Sequence, residues 1–193
     1  MADEARYVLK NARYLAADVM RRALRPGDIA VDATMGNGHD TLFLAELVGE
    51  TGRVYAFDVQ EQALANTRER LEQAGLSHRA TLLLAGHETM AAHVPPGVQA
   101  IMFNLGWLPG AAHGVTTRTQ TTLRAVDAAC ALLLPGGVLT VCIYPGHEEG
   151  ERELEALSRL AQGLSNHEYN ALWHRFSNAG PGAPQMLLVQ RNA

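Results

Sequence analysis

Apolar residues along this chain change their period from segment to segment, and the changes outline a fold. Val8, Ala12, Leu15, Val19 and Ala23 recur at steps of three and four, which predicts an amphipathic helix over residues 4–24. Arg25, Pro26, Gly27 and Asp28 stop it. Short apolar runs then alternate with helical patterns. Strands are expected at 29–31, 53–58, 80–84, 98–103 and 138–144, and helices at 39–48, 61–74, 88–93, 116–134 and 149–164. In the last of these, Leu154, Leu157, Ala161 and Leu164 share a face. Leu133 to Gly137 reads as the break between the long helix and the fifth strand. Two further strands, 169–176 and 185–190, flank the turn-rich segment SNAGPGAP and predict a closing hairpin.

Strand–helix alternation of this kind builds an α/β fold, a mostly parallel sheet covered on both faces by right-handed crossovers. Seven strands are expected, the last two as an antiparallel C-terminal hairpin, with the N-terminal helix (1–25) packed on a single domain spanning 1–193. Ligands on such sheets bind beyond the C-terminal strand ends. The polar motifs of this sequence fall at those ends.

Composition narrows the function classes. Hydrophobic residues make up 47% and charged residues 19% of the chain, ordinary values for a globular protein. No apolar run reaches the roughly 18 residues that span a bilayer. The first 24 residues have no signal-peptide core and carry acids that a transit peptide avoids, so a cytoplasmic location and no membrane partner are expected. Cys130 and Cys142 sit in apolar runs and read as reduced core thiols. The eight histidines lack metal-ligand spacing, so no metal is expected. A net charge of −4 argues against sequence-blind nucleic-acid binding. Charge is uneven, however. Arg6, Lys10, Arg13, Arg21, Arg22 and Arg25 outnumber the acids of the first 25 residues, and could meet RNA phosphates or simply form a solvated face.

The chemistry centres on VDATMGNGHDT, residues 31–41. Asp32 ends the first strand, and Gly36 and Gly38 follow. Thr41 stands where a dinucleotide GxGxxG loop needs its third glycine. Asp58 ends the second strand 20 residues beyond Gly38, where an acid can hold ribose hydroxyls. An adenosine-bearing ligand fits: glycines permit close backbone approach, Asp58 takes the sugar, and Asp32 suits a cationic group such as an amino-acid ammonium. The plainer reading has both acids capping local turns and the glycines closing a tight loop. At the fourth strand tip, Asn104 reads either as an Asx-turn residue or as an acceptor of amine N–H groups, and Trp107 either as core packing or as a stack for an extruded base. Tyr144 and His147 follow the fifth strand; His147 has the ordinary pKa range of a general base, or it caps the next helix. Thr116, Thr117, Thr119, Thr121 and Thr122 crowd the start of the long helix, with Thr116 or Thr117 expected as N-cap.

These motifs resemble a known group. D-x-x-x-G-x-G at the first strand, an acid at the second and a terminal strand pair resemble the class I S-adenosylmethionine-dependent methyltransferases, with Thr34 where many members have a first glycine. Asn104-Leu105-Gly106-Trp107 resembles the N-P-P-aromatic loop of amino-group methyltransferases. The combination of Asp32–Thr41, Gly86-His87-Glu88, Asn104–Gly110 and Tyr144–His147 is more specific: it resembles the small family labelled putative rRNA methylases, across roughly residues 7–190. That resemblance implies a Rossmann-like fold and S-adenosyl-L-methionine as cofactor. It implies a tRNA partner and methylation of 5-aminomethyl-2-thiouridine at the wobble position. For the cofactor it implies Asp32, Thr34, Gly36, Asn37, Gly38, Asp40, Thr41, Asp58, Gln60, His87, Glu88 and Asn104. For the substrate it implies Trp107, Leu108, Tyr144 and His147, with Asn104, Tyr144 and His147 catalytic. A homodimer stays open. The rival functions are methylation of rRNA or a small amine, a nicotinamide-dependent oxidoreductase, and a non-catalytic adenosine-binding module.

Overall fold

The computed structural model describes residues 8–106 and 116–193. In chain order the elements are α1 (Ala12–Ala23), β1 (Ile29–Asp32), α2 (His39–Val48), β2 (Arg53–Asp58), α3 (Glu61–Gln73), β3 (Ala80–Leu84), β4 (Val98–Asn104), α4 (Thr119–Leu132), β5 (Leu133–Ile143), α5 (Glu148–Gly163), β6 (Tyr169–His174) and β7 (Gln185–Arg191). Short 3₁₀ turns stand at Ser77–Arg79 and His87–Ala92.

The strands form one sheet in the order β3-β2-β1-β4-β5-β7-β6. β3, β2, β1, β4 and β5 run parallel, and β7 lies antiparallel between β5 and β6. The expected seven-stranded α/β sheet with an antiparallel C-terminal pair is thus the observed one. After β3 the chain crosses back past β1 to start β4. The C-terminal ends of β1 and β4 therefore carry connections that leave in opposite directions, which opens a crevice between them.

Alternation along the central strands sorts two cores. Val31, Ile101, Phe103, Leu139 and Ile143 face α4, α5 and the His87–Ala92 turn. Ala30, Ala100, Met102, Val138 and Cys142 face the opposite way, against α1 and α2. Both faces of the central strands are apolar because each carries helices.

Three boundaries differ from the sequence expectation. Helix α1 starts at Ala12, because Asn11 caps it by accepting the Tyr14 N–H at 3.2 Å. Val8 precedes the helix and is 94% exposed. The deeply buried stripe is Ala12, Ala16 and Met20, with Leu15, Val19 and Ala23 flanking it. Alanines on that stripe leave room for α1 to lie close to the sheet. Helix α4 is shorter than expected at both ends. At its C-terminus the chain enters β5 at Leu133, pairs there with Val98, and resumes pairing at Val138 opposite Ala100. The residues between form a bulge in which Gly136 takes φ +83° and Pro135 needs no ladder hydrogen bond. The third difference, at the N-terminus of α4, belongs to the site.

Candidate active site

A cleft of about 880 Å³ lies across the C-terminal ends of β1, β2 and β4. The glycine loop forms its floor. Within that loop four backbone N–H groups are already taken: Thr34 donates to Asp32 Oδ1, Met35 to the Phe57 carbonyl, Gly36 to Asp58 Oδ2 and Gly38 to the Met35 carbonyl. A dinucleotide loop keeps such groups for a pyrophosphate. Here they hold the loop to its neighbours, and Asp40 adds a carboxylate to the first turn of α2. That arrangement disfavours the nicotinamide reading.

Asp32 does not line the cleft. It is 1% exposed and accepts Thr41 Oγ1–H at 2.6 Å beneath the loop. Burial pushes its carboxyl up to about 7, and the nearby Asp40 pushes the same way. The expectation that Asp32 meets a ligand ammonium is therefore corrected: its side chain braces the loop from inside. Thr41 is fully buried with it. Gly38 also stays out of the cleft. It takes φ +77°, and a Cβ there would stand 2.8 Å from the Thr67 Cα, so this glycine serves the packing of α2 on α3 rather than a ligand.

Asp58, unlike Asp32, reaches the cleft. It lines the cleft while accepting Gly36 N–H at 3.1 Å and Gln60 N–H at 3.0 Å, one on each oxygen. A carboxylate has about four acceptor positions, so two remain for a pair of ribose hydroxyls. His87 is buried, its Nδ1 lies 3.2 Å from the Ala33 carbonyl, and its ring packs on Phe103 at 5.5 Å. Burial lowers its pKa, so a neutral ring with its proton on Nδ1 ties the β3 tip to the β1 tip. Thr34, Gly36, Asn37, Gln60 and Glu88 line the same cleft.

At the β4 tip the side chains form a connected group. Thr34 Oγ1 accepts the Asn104 backbone N–H at 2.7 Å, giving the residue that replaces a glycine a defined task. Tyr144 donates its hydroxyl to Asn104 Oδ1 at 3.2 Å, and Asn104 Nδ2 donates to Asp40 Oδ2. Burial pushes the Tyr144 phenol up to about 12, so it remains a donor at neutral pH. The amide is therefore oriented, oxygen toward Tyr144 and nitrogen toward Asp40. On the other side of Asp40, the Arg13 guanidinium stands 3.9 Å from Oδ1.

His147 lines the cleft as N-cap of α5, with Nδ1 accepting the Gly150 N–H at 3.1 Å. Nδ1 is thereby engaged in the cap. The capping role expected for His147 is the one observed. The cap of α4 is also corrected. Its N-cap is Arg118, without a side-chain cap bond, and Glu149 of α5 accepts both the backbone N–H and the hydroxyl of Thr119, at 2.7 and 2.8 Å. Thr117 Oγ1 instead accepts the Gly106 N–H at 3.0 Å. Buried Glu153 accepts Thr122 Oγ1–H at 2.7 Å, and burial raises its pKa. Trp107 and Leu108 lie outside the described residues.

The cleft also takes in Arg13 of α1, which the sequence offered only within a basic N-terminal group, and Arg118 from the α4 cap, which it did not single out. Only the packing of α1 across the sheet brings Arg13 near Asp40; its periodicity shows a polar position and nothing more. Cys130 and Cys142 are buried thiols pushed up to about 12 by desolvation, as core thiols should be. Among the described residues no helix is long and apolar enough to cross a membrane, and no cluster of metal-ligating side chains forms.

The site fits an adenosine carrying a charged amino-acid end. The remaining acceptor positions on Asp58, the flat buried His87 and the Arg13–Asp40 charges all line one cleft. Comparisons with known proteins point the same way. Residues 54–190 match the family described as Putative rRNA methylase. A chloroplastic tRNA (mnm(5)s(2)U34)-methyltransferase of Arabidopsis thaliana is 38% identical over 165 residues, 80% of this chain and 60% of the relative. The chain thus spans about three fifths of that curated relative's length. The crystal structure of a putative rRNA-methylase from Clostridium thermocellum shares 38% identity and a TM-score of 0.93, covering 96% of this chain and 100% of that one. A putative methyltransferase from Streptococcus mutans, solved in complex with SAH, shares 36% identity and a TM-score of 0.87, covering 95% and 99%.

Proposed function

This chain belongs to the putative rRNA methylase family and carries its class I S-adenosylmethionine-dependent methyltransferase fold, and from that premise we propose that it methylates the aminomethyl group of 5-aminomethyl-2-thiouridine at the tRNA wobble position. The observation that carries the reading is the oriented Asn104 amide, held by Tyr144 on one side and Asp40 on the other. S-adenosylmethionine supplies an electrophilic methyl group on a sulfonium. The protein's part is then to present a neutral nitrogen lone pair in line with it, so positioning provides most of the rate. Asn104 Oδ1 keeps one lone pair beyond the bond from Tyr144 and can accept an amine N–H. The phenol, protonated at neutral pH, cannot compete for a proton on the substrate. The aminomethyl group gives up its ammonium proton to solvent before the transfer, and the neutral amine then takes the methyl.

The name of the plant relative supports the tRNA substrate. The decisive experiment is mass spectrometry of nucleosides from tRNA treated with the purified protein and S-adenosylmethionine. Aminomethyl-thiouridine should be converted to its methylaminomethyl form. No conversion, together with methylation of ribosomal RNA under the same conditions, would replace the tRNA reading with the rRNA one.

A further inference from the structure

The amino-acid end of the methyl donor carries a carboxylate and an ammonium on one carbon, and the residue the sequence offered for it, Asp32, is sealed beneath the loop. Something else must receive both charges. Four loop N–H groups, those of Thr34, Met35, Gly36 and Gly38, are bonded within the protein and are not offered to the donor's carboxylate, whose charge a side-chain cation would match. Two guanidiniums line the cleft among the described residues, Arg13 and Arg118. Arg118 stands at the α4 wall, where its charge acts on Glu149. Arg13 stands across the Asn104 end, its guanidinium 3.9 Å from Asp40 Oδ1. The Arg13 side chain is 53% exposed and that of Asp40 20%, so both charges remain reachable. His39, also in the cleft, has its pKa lowered by burial and by Arg70 and Arg13, so it adds little positive charge.

Three acids line the cleft: Asp40, Asp58 and Glu88. Asp58 is tied to the glycine loop and the ribose position, and Glu88 sits with His87 on the 3₁₀ turn after β3. Asp40 alone borders the Asn104 loop. Opposite charges a few ångströms apart match a zwitterion whose own charges are equally close. We propose that Arg13 and Asp40 form the seat of the donor's amino-acid end, Arg13 taking its carboxylate and Asp40 its ammonium. Because Asp40 also holds Asn104 Nδ2, occupation of the seat bears on the amide that aims the acceptor nitrogen. The assignment concerns the donor alone and stands whether the acceptor is tRNA, rRNA or a small amine.

The test is isothermal titration of the full chain with S-adenosylhomocysteine and with 5′-methylthioadenosine, which keeps the nucleoside and sulfur but lacks the amino-acid end. Charge-assisted contacts of this kind are worth about 10- to 100-fold in affinity each. Arg13→Ala and Asp40→Ala should each weaken S-adenosylhomocysteine by roughly that factor and leave methylthioadenosine within about threefold of wild type. Arg13→Lys should recover part of the loss. An Arg13→Ala protein that binds both ligands like wild type overturns the assignment, as does one that loses both equally while keeping its thermal midpoint. Should Asp40→Ala fail to fold, the half-exposed Arg13 decides the matter alone.

Discussion

Gly38 shows how one residue can be indispensable beside a ligand site without touching the ligand. Its φ of +77° lies in the left-handed region, and an added Cβ would meet the Thr67 backbone at 2.8 Å. A backbone atom cannot swing aside as a side-chain tip can. Gly38→Ala should therefore destabilise the fold by about 2–4 kcal/mol in urea unfolding, combining the left-handed cost with overpacking. A loss below about 0.5 kcal/mol would show that α3 yields more readily than its packing implies. The Asn104 amide makes the complementary point. Its chemistry was legible from type and position. Its orientation depends on Tyr144, 40 residues away, and Asp40, 64 residues away.

At the scale of elements, α4 owes its N-terminus to α5. Five threonines near the start of α4 suggested a local cap, but the first free N–H group is satisfied by Glu149 across the helix pair. Glu149→Ala should cost about 1–2 kcal/mol at neutral pH, the range of a lost cap. The cost should shrink in a Thr119→Ala background, where one of the two bonds is already gone. Its pH dependence follows from direction. The Thr119 N–H lowers the Glu149 pKa, so its contribution is present above the ordinary carboxylate range and is lost as pH falls through the lowered value. Unfolding curves of wild type and Glu149→Ala should converge in acid. A constant difference from neutral to acidic pH would mean that packing, not the charged cap, is responsible.

Over the whole molecule, two buried acids titrate the other way, Asp32 at the end of β1 and Glu153 on α5. Asp32, raised to about 7, and Glu153, raised by burial, favour the folded state most when protonated. Their contribution is full below the unfolded carboxylate range of about 4 and is lost as pH rises through the folded values. Glu153→Gln keeps an acceptor for Thr122 and removes the buried charge. Its thermal midpoint should exceed that of wild type by a margin that grows from pH 5 to pH 8. A margin that shrinks over that interval would reverse the assigned sign. Much of this architecture was readable in the chain. Alternating apolar runs named every strand of the sheet, because a residue buried on either face must be apolar whatever its partner. Acids and glycines at strand ends named the edge that binds, since in a parallel sheet those ends converge on one side. What the chain alone could not decide was which acid faces the ligand. Asp32, Asp40 and Asp58 are equally polar in sequence, and only the loop's path turns the first inward, the second onto Arg13 and the third toward the open cleft. The same holds for Arg13 and Glu149, whose partners arrive from other elements: local periodicity specifies a residue's own face, whereas the group it meets is set by how the helices pack across the sheet.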